Sequence, residues 1–292
     1  MASMRDIKRR RGSIQSTQQI TKAMKLVSTV KLQKARTRAE NAQDYFQCMF
    51  RTMRSVLSQA GAVSHPYLQP NGSDKVAVVV VTSNRGLAGG YNANIVRLVA
   101  DSGIPKEKIR VYAVGSKGAE LMKHRGYEIA AEYPEVMEAP GYDDAKSISR
   151  ELLKDFEAGE IGEICLAYTH FKNTVSHVPT LLHMLPVSAE EEEEAQAQET
   201  QEAKEPAAPM NFEPSAEEAI GLLVPKYLTS MLYGAFVEAS ASENGARMQA
   251  MDSATSNAEE MIEDLELKYN RARQGAITQE LTEIIAGAEA IG

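Results

Sequence analysis

Residues 1–60 contain no proline and a single glycine, Gly12. Along them Leu32, Ala35, Ala39, Ala42, Phe46, Met49, Met53, Val56 and Ala60 recur in alternating steps of three and four. That spacing is the seam of a coiled coil, one apolar stripe facing a partner helix. Ile20, Met24 and Val27 keep the spacing on a shifted register, so the stripe is expected to slip near Val30. A helix over residues 4–59 is roughly 80 Å long at 1.5 Å per residue. No compact core needs a helix of that length, so the chain must hold much of it against a second long helix.

The other end of the sequence supplies one. Met251, Ala254, Ala258, Ile262, Leu265, Tyr269, Ala272 and Ala276 step by three or four. After one slip, Ile277, Leu281, Ile284, Ala288 and Ile291 continue the pattern. Pro225 removes a backbone donor and crowds the preceding turn, so it is expected to kink or interrupt this helix early. Gly234 and Gly245 weaken it locally. Two such helices hide their seams by pairing antiparallel. That arrangement would place both termini at one end of a rod and the intervening residues at the other.

Those intervening residues have a different character. Pro66, Pro70, Asn71 and Gly72 punctuate the chain, and Val76–Val81 follows as its longest purely apolar run. Six apolar residues, mostly β-branched, predict a strand buried on both faces. They fall far short of the roughly 20 that a membrane helix needs. Strands are also expected over 109–114, 163–169 and 178–185, with a weaker one near Ile129. Helices are expected over 92–101, 116–124 and 143–156. The alternation gives the fold class: an α/β protein with a central Rossmann-like domain, plus a long antiparallel coiled coil of N- and C-terminal helices. The divisions are 1–60, 74–187, 188–214 and 215–292. The third holds residues 189–209, with eight Glu, six Ala, three Gln and no aromatic or branched aliphatic residue. It cannot bury enough apolar surface to order itself and is expected to be a flexible acidic insertion.

Charge is unevenly divided. Residues 1–58 carry thirteen Lys and Arg against three Asp and Glu, while the whole chain has a net charge of -8. A basic arm on an acidic body can bind nucleic acid, a membrane surface or an acidic protein. The arm's cluster of Arg5, Lys8, Arg9, Arg10 and Arg11 has no aromatic residue beside it for base stacking. Cys48 and Cys165 form no CxxC pair, which argues against a disulfide framework and suits a reducing compartment. No apolar stretch follows Met1, so no secretory signal is expected.

Chemistry is hard to find. The segment from Ser83 to Gly90 reads SNRGLAGG after a strand and before a helix, the place where phosphate loops sit. It lacks both the GxxxxGK[ST] lysine and the GxGxxG spacing, so a tight turn is the expectation. His170, His177, His183 and Cys165 match no zinc spacing. Neither metal nor cofactor is expected, and no catalytic residue is assigned.

Four stretches carry a family resemblance. Residues 4–10 read MRDIKRR and 17–25 read TQQITKAMK. Residues 273–283 read RQGAITQELTE, followed by Gly287-Ala288, and 83–92 read SNRGLAGGYN. Together, in order and across essentially the whole chain, they resemble the gamma subunit of the rotary ATP synthase. The resemblance implies a non-catalytic central rotor shaft of a proton-translocating enzyme. It couples rotation of a membrane ring to ATP synthesis or hydrolysis on the beta subunits. The implied partners are the alpha and beta subunits of the head, the epsilon subunit and the rotor ring of c subunits. It implies neither a nucleic-acid partner nor a transmembrane segment in this chain. Lys22, Ala23 and Met24 match the stretch beside the beta subunits' acidic lever. Arg273 and Gln274 match the family's contact with a beta-subunit loop, and Thr278 and Glu280 fall in the same signature. With no inserted cysteine pair and no transit peptide, the resemblance points to a bacterial enzyme, peripheral on the cytoplasmic face of the plasma membrane.

Overall fold

A computed structural model describes residues 4–59, 63, 65–187, 212 and 215–289. The acidic insertion expected over 188–214 lies, apart from Phe212, outside the described residues. The first helix, α1, spans Met4–Gln59, the proline-free stretch whose spacing predicted it. The last, α5, spans Ala216–Glu289 without a break. Pro225 therefore does not interrupt α5. The Thr229 hydroxyl donates to the Pro225 carbonyl at 2.7 Å, and neighbouring Val224, Tyr227 and Leu228 are buried. Core packing offsets the roughly 3 kcal/mol that an internal proline costs a helix.

The chain divides into two compact units. One comprises Met1–Thr29 with Arg247–Gly292, the other Val30–Ala246. The second unit holds a five-stranded sheet ordered β3-β2-β1-β4-β5. Its strands are β1 (Val76–Val81), β2 (Ile109–Val114), β3 (Glu128–Tyr133), β4 (Glu163–Phe171) and β5 (His177–Leu185). The first four run parallel, and β5 pairs with β4 antiparallel through a short hairpin. Helices α2 (Tyr91–Ala100), α3 (Ser116–His124) and α4 (Tyr142–Glu157) connect them.

The apolar run in β1 is explained by its neighbours. Val76, Val78 and Val80 pack with Ile95, Val96 and Met122 on one face. Ala77, Val79 and Val81 pack on the other with Leu152, Phe156, Phe236 and Met53. A central strand covered on both sides keeps no polar position. Edge strand β3 shows the contrast, with exposed and half-buried residues alternating along it. In this unit α1 buries Leu32, Ala35, Met53 and Val56, members of the predicted seam, and Phe46 meets Tyr233 with ring centroids 5.9 Å apart. One 18-residue window of α5 is apolar enough by composition to cross a membrane, but more than half of it is buried inside the fold.

His177 gives this unit a pH dependence. Its ring packs on Phe171, and its Nε2 is buried without a hydrogen-bond partner among the described residues. Burial lowers its pKa below the ordinary 6.5, because the folded state penalises the charged ring. The unfolded chain then binds more protons than the folded one below that value. This contribution to stability is therefore complete above pH 6.5 and is lost as the pH falls. The urea midpoint should drop between pH 7 and pH 5.5, and His177→Phe should flatten that drop. An unchanged slope in the variant would remove His177 as its source.

Candidate subunit-contact surfaces

In the first unit the two terminal helices run antiparallel, with partner numbers on α5 falling as those on α1 rise. Arg11 pairs with Glu266 at 3.5 Å, Gln18 donates to Glu259 at 3.0 Å, and Lys25 pairs with Asp252 at 2.5 Å. The Arg11 guanidinium also lies over the Tyr269 ring, 6.0 Å from its centroid. These solvent-facing pairs each contribute about 0–1 kcal/mol, so they set register more than stability.

The seam between them is partly polar. On α1 it buries Ile7, Thr21 and Ser28, and on α5 it buries Met251, Thr255, Ala258 and Leu265. Thr21 and Thr255 share a hydroxyl–hydroxyl bond of 2.8 Å, and each also donates or leans toward a carbonyl of its own helix, Gln18 and Met251. Ile7, Ile14, Thr21, Ser28, Leu32 and Ala35 keep one stepping, so the slip expected near Val30 does not occur. Ile20 and Val27, read as seam residues, instead face outward, 61% and 57% exposed. Two stripes with acceptable spacing run along α1. The position of α5 selects the one carrying the threonine and the serine.

The threonine pair yields a test. Thr21→Val alone should destabilise this unit by about 0.5–1 kcal/mol, because it removes the bond across the seam and leaves the Thr255 hydroxyl only the Met251 carbonyl of its own helix. Thr21→Val with Thr255→Val should be near neutral or stabilising, since two methyls of the same shape then meet. Urea titration of the four members of the double-mutant cycle measures the difference.

Beyond Ala272, α5 has no helix beside it among the described residues, and 273–288 are exposed on every face. Ala276, Ile277, Leu281, Ile284 and Ala288, expected to continue the seam, are therefore not seam residues. The reason is one of length: α1 begins at Met4, and Arg11 is already level with Glu266 and Tyr269. Ile291 lies outside the described residues. Ile277, Leu281, Ile284 and Ile285 all stand in solvent as large exposed apolar groups.

The proposed contact residues fall in two separate places. Lys22 and Ala23 are exposed and Met24 is half-buried, next to Thr21 on α1. Arg273, Gln274, Thr278 and Glu280 are exposed on the unpaired part of α5, where the Thr278 hydroxyl donates to the Gln274 carbonyl at 2.9 Å. Thr21 faces Thr255, eighteen residues before Arg273, so the two sets lie about 27 Å apart along α5 at 1.5 Å per residue. They form two stations rather than one site. The exposed Leu26 and Ile285 were not singled out from the sequence. Counting the antiparallel register back from Met4 is the signal that marks the α5 end as unpaired.

A profile of the ATP synthase family matches residues 3–291. The chain is 62% identical over 291 residues to the ATP synthase gamma chain of Lachnoclostridium phytofermentans, covering 100% of each. It is 42% identical to the gamma chain of Alkaliphilus metalliredigens, over 99% of this chain and 98% of that one. The chain belongs to the ATP synthase gamma chain family. Among solved structures, it superposes on a chain of the Euglena gracilis mitochondrial ATP synthase with a TM-score of 0.71. That match is 19% identical and covers 99% of this chain and 94% of that one, a likeness of fold.

The glycine-rich turn of this gamma-family chain is closed by its own side chains. The Ser83 amide donates to Asn92 Oδ1 at 3.0 Å, and the Ser83 hydroxyl donates to the Arg85 carbonyl at 2.6 Å. Asn92 Nδ2 donates back to Ser83 Oγ at 2.8 Å. Asn84 Oδ1 accepts from the Ser116 amide at 2.9 Å, while its Nδ2 donates to the Pro134 carbonyl at 2.6 Å. The loop thus ties β1 to α2, α3 and the end of β3. Strand order reverses between β1 and β4, where open α/β sheets usually bind ligands at the carboxyl ends. Here α5 occupies that ground: the Tyr91 hydroxyl donates to the Ala239 carbonyl at 3.2 Å, and Glu238 meets His170 at 2.7 Å.

The histidines flagged in the sequence diverge. His170 faces Glu238, His177 packs on Gly245, and His183 Nε2 lies 4.0 Å from Glu163.

Proposed function

We propose that the chain is the central shaft of a proton-translocating ATP synthase and that it is itself non-catalytic. The observation that carries this reading is the last stretch of α5, a lone helix with apolar residues on its surface and Arg273 and Gln274 at its base. A freely soluble protein has no use for Ile277, Leu281, Ile284 and Ile285 in water. A ring of alternating alpha and beta subunits closing around that helix would bury them. Lys22–Met24 would form the second station, against the beta subunits' acidic lever. The epsilon subunit and the membrane ring of c subunits would hold the sheet-bearing unit. The complex would sit with this chain peripheral on the cytoplasmic face of a bacterial plasma membrane.

The physics suits a shaft. Coupling requires that each orientation of the helix pair favour a different state at each beta subunit, which is differential binding. Exposed polar groups such as Arg273, Gln274 and Thr278 make contacts of about 0.5–3 kcal/mol each, weak enough to form and break in every turn. The carboxyl-end crevice of the sheet is filled by α5 and by the side chains of the turn, which supports a mechanical rather than a nucleotide-binding role for this domain.

Reconstitution tests the proposal. Mixed with the alpha and beta subunits of its own cell, the chain should co-elute as one particle, with ATPase that requires its presence. Separate elution with unchanged activity would refute the shaft.

A further inference from the structure

Four contacts converge where α5 crosses the carboxyl end of the sheet. The Tyr91 hydroxyl, from the first residue of α2, donates to the Ala239 carbonyl at 3.2 Å. His170, near the end of β4, shares a 2.7 Å hydrogen bond with Glu238, whose Oε2 also accepts from the Phe171 amide at 3.4 Å. The buried Ser242 hydroxyl donates to the Thr169 carbonyl at 3.1 Å. Opposite Gly245, the His177 ring sits so close that an added Cβ would overlap its Nε2 and stand 3.1 Å from its Cε1. Three elements of the sheet layer therefore grip three successive turns of one helix.

Apolar packing elsewhere on α5, through Phe236, Val237 and Leu232, holds the helix against its neighbours without hydrogen bonds of defined direction. Hydrogen bonds with defined geometry, and a ring seated on a bare glycine backbone, resist rotation of the helix about its own axis. We infer that Tyr91, His170, His177, Glu238, Ser242 and Gly245 form the torsional lock through which the sheet-bearing unit drives α5. The inference rests on the shaft reading above and names positioning residues within it. From the lock, α5 continues as one helix to Glu289.

A torsional lock predicts a load-dependent defect. Without load, a softened joint still turns; against an opposing gradient it yields, and energy from ATP is lost in the twist. The test uses the complete complex in vesicles, carrying Ser242→Ala, Glu238→Ala or both. ATPase in the presence of uncoupler should stay within about 1.5-fold of wild type, while the largest proton gradient that ATP sustains should fall about threefold in the double variant, as expected for the loss of two directional contacts. Gly245→Ala should produce the same defect, because its methyl would displace the His177 ring. If the double variant does not assemble, Ser242→Ala alone decides, since it removes one hydrogen bond and little volume. Equal gradients in wild type and variants would overturn the lock while leaving the shaft intact. A wild-type chain that does not assemble with alpha and beta subunits would overturn the shaft and the lock with it. A variant that melts earlier but sustains the wild-type gradient would also count against the lock, because stability alone would then account for the contacts.

Discussion

Changing Arg273 and Gln274 together to alanine is expected to leave the isolated chain as stable as before, within about 0.5 kcal/mol, while cutting ATP-driven proton pumping by the assembled complex at least about tenfold. The two halves of this expectation have separate origins. Both side chains are exposed on a part of α5 that no other described element touches, so the fold has nothing to lose from their removal. Alanine is also a better helix former than either residue, which can only help the local backbone. Function has more at stake, because a coupling free energy of 1–3 kcal/mol corresponds to roughly 5- to 150-fold. Melting of the isolated chain and acidification by reconstituted vesicles are the two measurements. Full pumping by the double variant would remove these residues from the proposed contact. A large loss of melting temperature would show instead that they have a structural partner.

Gly115→Ala is expected to do the reverse and damage the fold itself, by about 3–5 kcal/mol. Gly115 follows β2 with φ of 97°, a backbone conformation that side chains rarely adopt. A Cβ there would overlap the Thr82 carbonyl oxygen and stand 2.8 Å from the carbonyl carbon. That carbonyl belongs to the backbone at the end of the central strand, and the Thr82 hydroxyl is already committed to the Gly118 amide at 2.7 Å. Nothing there can yield cheaply. Since a domain's whole stability is about 5–15 kcal/mol, soluble yield and urea midpoint should both fall steeply. Gly12→Ala is the matched control. It lies in α1 with nothing within 4 Å of its added Cβ, so the same change should raise stability by about 0.5–1 kcal/mol. If both variants lost stability alike, the crowding at Gly115 would not be the cause.

Much of this architecture was legible from local pattern. The proline-free periodic stretch is α1, the apolar run is β1, and residues 109–114 and 116–124 are a strand and a helix as expected. Each is decided by short-range chemistry: the absence of a helix breaker, β-branched residues on two buried faces, or an apolar face at helical spacing. The SNRGLAGGYN turn was likewise readable as a turn, because its serine and asparagines satisfy the loop's own backbone. Motifs at the two ends resembled the gamma subunit strongly enough to nominate Lys22, Ala23, Met24, Arg273, Gln274, Thr278 and Glu280, of which periodicity alone picks out only Met24.

What remained belonged to the tertiary structure. Spacing of three and four allows a seam through Ile20 and Val27 or through Thr21 and Ser28, and hydrophobicity favours the wrong one. The choice is made by α5, more than two hundred residues away in the chain. Pro225 looked like a kink or an interruption because the rule that condemns it is local, whereas the packing that tolerates it is not. The series from Ile277 to Ala288 looked like a seam because a helix pattern does not record where its partner stops. Sequence by itself determined which segments are helix or strand and which family they compose. Only the tertiary structure decided which apolar residues are core and which are left in water, because burial is a property of a pair of surfaces and a periodic pattern describes just one of them.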